Sequence, residues 1–163
     1  MTKFNESTNE KIKNRRSAAR LAAVQALYEI DLVNSNINIV IEDFLTNRWL
    51  SSDLNKESNQ ALIEPDKDWL INLVKGVAGE YVKLDSLIRP ALSEKWTIER
   101  LEIIIRVILR AAVFELTNKP NVPANVVIDE YLNVAHAFFE GQENKLINGV
   151  LDRLARDLRP NEL

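Results

Sequence analysis

Residues 97–117 have the sequence TIERLEIIIRVILRAAVFELT, in which apolar side chains recur at steps of three and four residues. The main apolar row consists of Leu101, Ile104, Ile105, Ile108, Leu109, Ala112 and Leu116. This spacing predicts an α-helix with a broad buried face. Four more apolar residues widen that face: Ile103, Val107, Val113 and Phe114. We therefore expect a helix surrounded by other helices, capped by Thr97 and ended by Pro120.

Charged residues interrupt this segment at regular intervals. Glu102, Arg106 and Arg110 follow one another at four-residue spacing, which places them along one edge of the predicted helix. A membrane span needs about 20 consecutive apolar residues, so these charges exclude one here. We expect an ion-paired edge or a buried bridge to a neighbouring helix.

The composition favours an α-helical protein without disulfides. The chain has 163 residues, no cysteine, four glycines and five prolines. Its length fits one domain with a sizeable core. The absence of cysteine fits a reducing compartment and excludes thiolate chemistry. No apolar signal segment opens the chain, so a cytoplasmic location is expected.

Helical periodicity recurs along most of the remaining sequence. It predicts helices at about residues 17–33, from 37 to beyond 45, at 66–89, 124–139 and 143–157. In the first of these, Leu21, Val24, Tyr28 and Leu32 share the expected buried face. Residues 51–65 are polar and aperiodic and are expected to form a loop. The predicted fold is an all-α, compact bundle of six to seven helices.

The predicted organisation is a flexible basic arm, residues 1–14, followed by a single helical domain, residues 15–163. Within the domain, Pro90 separates two packed helical subdomains, at about residues 15–90 and 91–163. Gly76 and Gly79 lie inside the helix predicted at 66–89. They are expected to lower its stability or to permit a close helix crossing.

Charge is distributed unevenly along the chain. Residues 1–20 hold six basic and two acidic side chains, whereas the remaining residues hold 15 basic and 22 acidic ones. A basic segment on an acidic body is typical of a protein whose arm meets a polyanion. The alternative is a solvated tail without a ligand. Arginine favours the first interpretation because its planar guanidinium binds phosphate through two parallel hydrogen bonds.

Residues that carry enzyme chemistry are scarce. His136, the single histidine, has no triad or metal-ligand spacing around it and is expected to be structural or on the surface. Neither a P-loop nor a GxGxxG motif occurs. Trp49, Trp69 and Trp96 are expected in the core or at helix junctions. We expect no catalysis, cofactor or metal.

Four strings in register resemble one protein family. They are RRSAARLAAVQALYEIDL at residues 15–32, ILRAAVFEL at 108–116, NVPANVVIDE at 121–130 and NKLINGVLDRLAR at 144–156. Together they resemble the NusB transcription antitermination proteins, in the family's order and spacing over residues 15–159.

The resemblance implies an RNA-binding, non-catalytic factor. Members pair with the ribosomal protein NusE, bind boxA-type single-stranded RNA in ribosomal RNA leader transcripts, and help the RNA polymerase antitermination complex to read through terminators. The implied RNA-binding residues are Lys11 and Lys13 in the arm, Arg15, Arg16 and Arg20 directly after it, and Gln142, Asn144 and Lys145 before and in the last helix.

The sequence departs from the family pattern at three places. Ser17, Ala18 and Ala19 dilute the arginine cluster. Leu146 stands where some relatives have phenylalanine, so aromatic stacking on RNA is not implied there. Ile105 stands where an acidic residue is common, so no charged contact to NusE is implied at that position.

Two alternative functions remain open from the sequence. One is a non-catalytic helical scaffold or self-association protein, since an apolar helix face is closed as readily by a second copy as by the chain itself. The other is an RNA-recognition domain of the kind fused to rRNA cytosine methyltransferases. Against it, the chain has no cysteine nucleophile, and no methyltransferase domain is expected after Leu163. Monomer and homodimer both remain open.

Overall fold

The computed structural model describes residues 2–46 and 63–163, and the part of the chain that it describes is all-α. Seven α-helices lie in these ranges: α1 Thr2–Val33, α2 Ile37–Thr46, α3 Lys67–Gly79, α4 Tyr81–Ile88, α5 Ile103–Asn118, α6 Ala124–His136 and α7 Gln142–Leu158. Two 3₁₀ turns, Arg89–Ala91 and Ile98–Arg100, lie between α4 and α5. The predicted fold class is confirmed. Trp49 and most of the loop predicted at 51–65 lie outside the described residues.

Contacts within the chain group its residues into two units, Met1–Val74 and Lys75–Leu163. The boundary falls inside α3 and before α4, whereas the sequence predicted a division at Pro90. The difference arises because α4 packs along α5, which draws it into the second unit.

Helix α1 is longer than expected. It begins at Thr2, whereas periodicity predicted a helix from about residue 17 after a flexible arm. No glycine or proline occurs between Thr2 and Val33, so nothing in the sequence ends the helix earlier. Residues 7–15 are all exposed, so this part of α1 packs little apolar surface. The flexibility predicted for residues 1–14 stays a prediction.

The buried face of α1 differs from the predicted one. Its fully buried apolar residues are Ala19, Ala23, Val24, Ala26 and Leu27, and α2 packs against the helix. Tyr28 and Leu32 were predicted on the buried face, but they are 36% and 52% exposed. The small alanines supply the contact surface instead, since their short side chains allow close packing.

The helix predicted at residues 66–89 is divided in two. Asp66 caps its start as expected, accepting a hydrogen bond from the backbone N–H of Trp69 at 3.1 Å. The prediction of one continuous helix was wrong, because Glu80 leaves helical geometry at φ −126° and ψ 22°. Gly79 precedes this break, where its poor helix propensity weakens the last turn.

Helix α5 is the centre of the second unit. It packs against α4, α6 and α7, and 11 of its 16 residues are buried. The prediction of a helix surrounded by helices is confirmed, but its predicted start was wrong. Thr97 makes no side-chain cap and precedes a 3₁₀ turn. Extended backbone at Leu101 and Glu102 then delays α5 to Ile103.

Polar side chains fix α5 to its neighbours. Glu115, fully buried, accepts a short hydrogen bond from the hydroxyl of Tyr131 on α6. Arg159, after α7, donates to the backbone carbonyls of Glu115, Leu116 and Lys119. Glu115 and Leu116 belong to the last turn of α5 and Lys119 directly follows it, so these bonds supply donors where the helix itself runs out of them. The end of the chain therefore closes the end of the central helix.

Candidate nucleic-acid interface

The exposed part of α1 carries the predicted basic residues Lys11, Lys13 and Arg15. All three side chains are exposed. Lys11 and Arg15 are four residues apart in one helix, so they lie on the same side of it. No ion pair joins any of these three to an acidic side chain within the described ranges 2–46 and 63–163. Their charges are therefore available to an external anion.

Arg15 lies where α1 meets the start of α3. The backbone N–H of Asp66 donates to the backbone carbonyl of Arg15 at 3.0 Å. Arg15 Nε donates a longer bond, 3.4 Å, to the carbonyl of Glu64. Since Asp66 also caps α3, these bonds tie the N-terminus of α3 to α1 at the predicted RNA-binding residue.

Two further predicted residues lie against Trp69. The guanidinium carbon of Arg16 is 4.4 Å from the centre of the Trp69 ring, and that of Arg20 is 5.5 Å away. Both distances are within the range of cation–π attraction. Trp69 is therefore a helix-junction residue, as the sequence predicted.

The environments of these two arginines differ. Arg20 is only 2% exposed, so in this structure it does not present a charge to a phosphate at the surface. Its predicted contact with RNA is therefore not supported by its position. Arg16 is half-buried and remains within reach of solvent.

The other predicted residues lie at the start of α7. Gln142 and Lys145 are exposed. Asn144 is half-buried, and its Nδ2 donates to the carbonyl of Phe139 at 2.7 Å. That bond holds the turn before the helix, so Asn144 has a structural role at this place. Its Oδ1 is closed from solvent and has no hydrogen-bond partner among the described residues.

A cleft of about 340 Å³ opens beside Gln142. It is lined by Trp96, Arg100, Leu101, Glu102, Ile105, Gln142, Glu143 and Leu146. Trp96 is 46% exposed, so it does not lie in the core. It lies between the two 3₁₀ turns that connect α4 to α5, which fits the other expected position, a helix junction. The sequence did not single out this cleft, because its walls come from two separate segments, 96–105 and 142–146, that periodicity does not bring together.

Residues 2–46 and 63–163 show no features of a metal site or a membrane span. No group of three or more His, Cys, Asp and Glu side chains there is arranged to hold a metal ion. None of the helices in those ranges is long and apolar enough to span a bilayer. His136, which ends α6, is exposed, as expected of a surface residue.

The arrangement on α1 suits a phosphate backbone. Exposed cations on more than one side of a regular helix present charge without a pocket, which fits a polymer of phosphates better than a small molecule. Sequence reasoning missed one part of it, the contact of Trp69 with Arg16 and Arg20. The only signal for it was the position of Trp69 three residues after the capping Asp66.

Comparison with known proteins agrees with this picture. The NusB family model matches residues 17–156. Transcription antitermination protein NusB of Allorhizobium ampelinum is 41% identical over 98% of this chain and 97% of its own length. The corresponding protein of Bartonella tribocorum is 42% identical over 90% of this chain and 91% of its own.

Solved structures share the fold. NusB from T. maritima superposes with a TM-score of 0.70 at 27% identity, covering 87% of this chain and 91% of its own. A second similar chain, at 22% identity with a TM-score of 0.69, covers 88% of this chain and 98% of its own. It comes from a crystal structure of antitermination factors NusB and NusE with double-stranded RNA. From the family model and the relatives, this chain belongs to the NusB family.

Proposed function

We propose that this protein is a cytoplasmic, non-catalytic transcription antitermination factor that binds RNA through α1. The exposed Lys11, Lys13 and Arg15 carry this proposal, because they present unpaired positive charge on an otherwise acidic chain. Relatives more than 40% identical over nearly the whole chain are antitermination proteins by name. The proposed ligand is boxA-type single-stranded RNA in ribosomal RNA leader transcripts.

The chemistry of α1 supports a phosphate-directed contact. Lysine and arginine side chains on a helix neutralise backbone phosphates and release the counterions around them. Such contacts give affinity but little sequence discrimination. Base recognition therefore has to come from elsewhere, and Gln142 and Lys145 are the exposed polar candidates on α7.

We propose that the ribosomal protein NusE completes the binding surface. A short basic helix by itself binds single-stranded RNA weakly, so a partner is expected to supply further contacts. The similar chain crystallised with NusE and RNA supports this choice of partner. The assembled factor would then act within the RNA polymerase antitermination complex.

The test is binding of the purified protein to boxA-type RNA and to a scrambled RNA of the same composition, each with and without NusE. We expect the preference for boxA-type RNA to appear or sharpen when NusE is added. Equal, weak binding to both RNAs, unaffected by NusE, would overturn the proposal.

A matched pair of variants locates the contact. The triple variant Lys11→Ala, Lys13→Ala, Arg15→Ala should weaken RNA binding by at least about tenfold, because it removes three phosphate contacts. The control triple variant, Lys83→Ala, Arg153→Ala, Arg156→Ala, removes the same charge from exposed positions elsewhere. We expect it to change binding by less than about twofold. If the two triple variants weaken RNA binding equally, RNA affinity depends only on net charge and the contact is not located on α1.

A further inference from the structure

Arg16 differs from Arg110 and Arg159 in how its guanidinium is used. The Arg110 guanidinium also stacks on an aromatic ring, 4.4 Å from the centre of Tyr81, but it forms two hydrogen bonds to Asp85. Arg159 donates to several backbone carbonyls. In both cases the protein itself supplies the acceptors.

The Arg16 guanidinium has a ring beneath it but no acceptor. It stacks on Trp69, yet within residues 2–46 and 63–163 it makes no hydrogen bond or ion pair. Its Nε is closed from solvent and without a partner there. The rest of this half-buried guanidinium remains open to solvent, where an external acceptor can supply the hydrogen bonds that the protein does not. Arg16 is therefore placed to bind an external anion.

Stacking on Trp69 restricts the position of this cation. The indole attracts one face of the planar guanidinium, while the N–H groups point outward in its plane. Two parallel N–H groups match two oxygens of a phosphate. Because the ring already orders a long, flexible side chain, less conformational entropy is lost when the phosphate binds.

The backbone beside Arg16 is also tied to the helix that carries Trp69. The neighbouring Arg15 accepts the hydrogen bond from Asp66 N–H at 3.0 Å, and Asp66 caps the helix that carries Trp69. Two hydrogen bonds through Asp66 therefore connect the backbone beside Arg16 to the backbone of Trp69. Arg20, buried on the same ring, adds a second contact that holds Trp69 in place.

We propose that Trp69 is the positioning residue that holds the guanidinium of Arg16, one of the expected RNA-binding residues, ready for a backbone phosphate of the RNA. This inference rests on the proposed function. It assigns to Trp69 a part in RNA affinity, although the ring itself touches no RNA.

The test is a double-mutant cycle on RNA affinity, measured by fluorescence anisotropy with a labelled boxA-type oligonucleotide and NusE. Arg16→Ala and Trp69→Leu should each weaken binding by about five- to tenfold, and the double variant should be no weaker than Arg16→Ala alone. Arg16→Lys should be nearly as weak as Arg16→Ala, because an ammonium group lacks the planar fork. Trp69→Phe keeps an aromatic face and should retain most of the affinity.

A salt series separates positioning from general damage. Arg16→Ala should reduce the salt slope of binding by about 0.7, since one phosphate contact is lost. Trp69→Leu should weaken binding with the slope nearly unchanged, because Arg16 still reaches the phosphate at a higher entropic cost. Arg153→Ala, which removes an exposed arginine on α7, is the control and should change neither quantity.

Independent effects of Arg16→Ala and Trp69→Leu that multiply in the double variant would overturn the proposal. So would full affinity in Arg16→Ala or Arg16→Lys. If Trp69→Leu does not fold, the RNA affinities of Trp69→Phe and Arg16→Lys test the proposal instead. Thermal melting checks that each of these variants is folded. A wild-type protein that fails to prefer boxA-type RNA contradicts the proposed function. A wild type that prefers it, with an uncoupled cycle, contradicts only the role of Trp69.

Discussion

Arg110 on α5 and Asp85 on α4 are joined by two parallel hydrogen bonds. Arg110 Nε lies 2.7 Å from Asp85 Oδ1, and Nη2 lies 2.9 Å from Oδ2. The two side chains are only 9% and 15% exposed, and the guanidinium stacks on Tyr81. For Arg110, the structure shows the buried bridge, which was one of the two arrangements expected for the charges spaced along the central segment. Arg106 Nε, by contrast, is closed from solvent and has no hydrogen-bond partner among the described residues.

Removing one partner of this pair should be costly. We expect Asp85→Ala to lower the free energy of unfolding by about 3 kcal/mol, because the buried guanidinium of Arg110 loses its carboxylate. The double variant Asp85→Leu, Arg110→Leu should recover part of that loss, since it leaves no unpaired charge. Urea denaturation measures both. A loss below about 1 kcal/mol in Asp85→Ala would contradict a structural role for the pair.

Gly76 should not tolerate a side chain. A Cβ at this position would overlap the ring of Phe114 on α5, which is 5% exposed and has little room to move. We expect Gly76→Ala to destabilise the protein by about 1–3 kcal/mol, measured by urea denaturation, despite the better helix propensity of alanine.

Gly149 provides the matched control for that substitution. It lies within α7, and a Cβ there would meet no atom within 4 Å. Gly149→Ala should therefore stabilise the protein by about 0.5–1 kcal/mol through helix propensity alone. If both alanine variants shift stability in the same direction, the close contact of Gly76 with Phe114 does not exist in solution.

Glu162 should make stability depend on acid pH. Its carboxylate accepts a hydrogen bond from the backbone N–H of Ala124 at 3.0 Å and lies 3.2 Å from Arg159 Nη1. These contacts, the Ala124 bond first, hold the pKa of Glu162 below its ordinary value of 4.5. Because the pKa is lower in the folded chain, the stabilisation is complete above the unfolded pKa. It is lost as the pH falls through the folded value.

The comparison of wild type with Glu162→Gln checks this dependence. Wild type should be the more stable protein at pH 7, and the difference should shrink as the pH falls below about 4.5. Urea unfolding at several pH values gives the difference directly. Glu99→Gln forms a parallel series, because a hydrogen bond from Arg89 lowers the pKa of Glu99. A difference independent of pH would contradict the ionic role of Glu162.

RNA binding should weaken steeply with salt. If Lys11, Lys13, Arg15 and Arg16 each meet a phosphate of a single strand, log K should fall with log salt at a slope of roughly −2 to −3. Lys11→Ala should reduce the slope by about 0.7. Binding titrations between low and physiological salt measure it. A flat response would remove the electrostatic basis of the proposal.

Periodicity located helices better than it located their ends. The cores of α5, α6 and α7 follow from apolar steps of three and four residues, which report directly on burial. The break at Glu80 and the late start of α5 depend on a few backbone angles, which a periodic pattern does not report. Tyr28 and Leu32 share a periodic face but remain exposed, since the alanines beside them make the contact.

In the candidate site, too, the sequence predicted some features and not others. Composition identified a basic segment, because charge is a property of each residue wherever the chain places it. Whether a given arginine reaches solvent depends on its neighbours in space. Arg20 is buried on the ring of Trp69 while Arg16, four residues earlier, is not.

The sequence by itself determined the helical class, the central helix and the uneven charge, since all three follow from local spacing and residue type. It also determined family membership, through four strings in register. Only the tertiary structure decided that Arg16 and Arg20 share Trp69, that Arg110 binds Asp85, and that Gly76 has no room for a side chain. These contacts join residues far apart in the chain, and their energies depend on distances that no local pattern encodes.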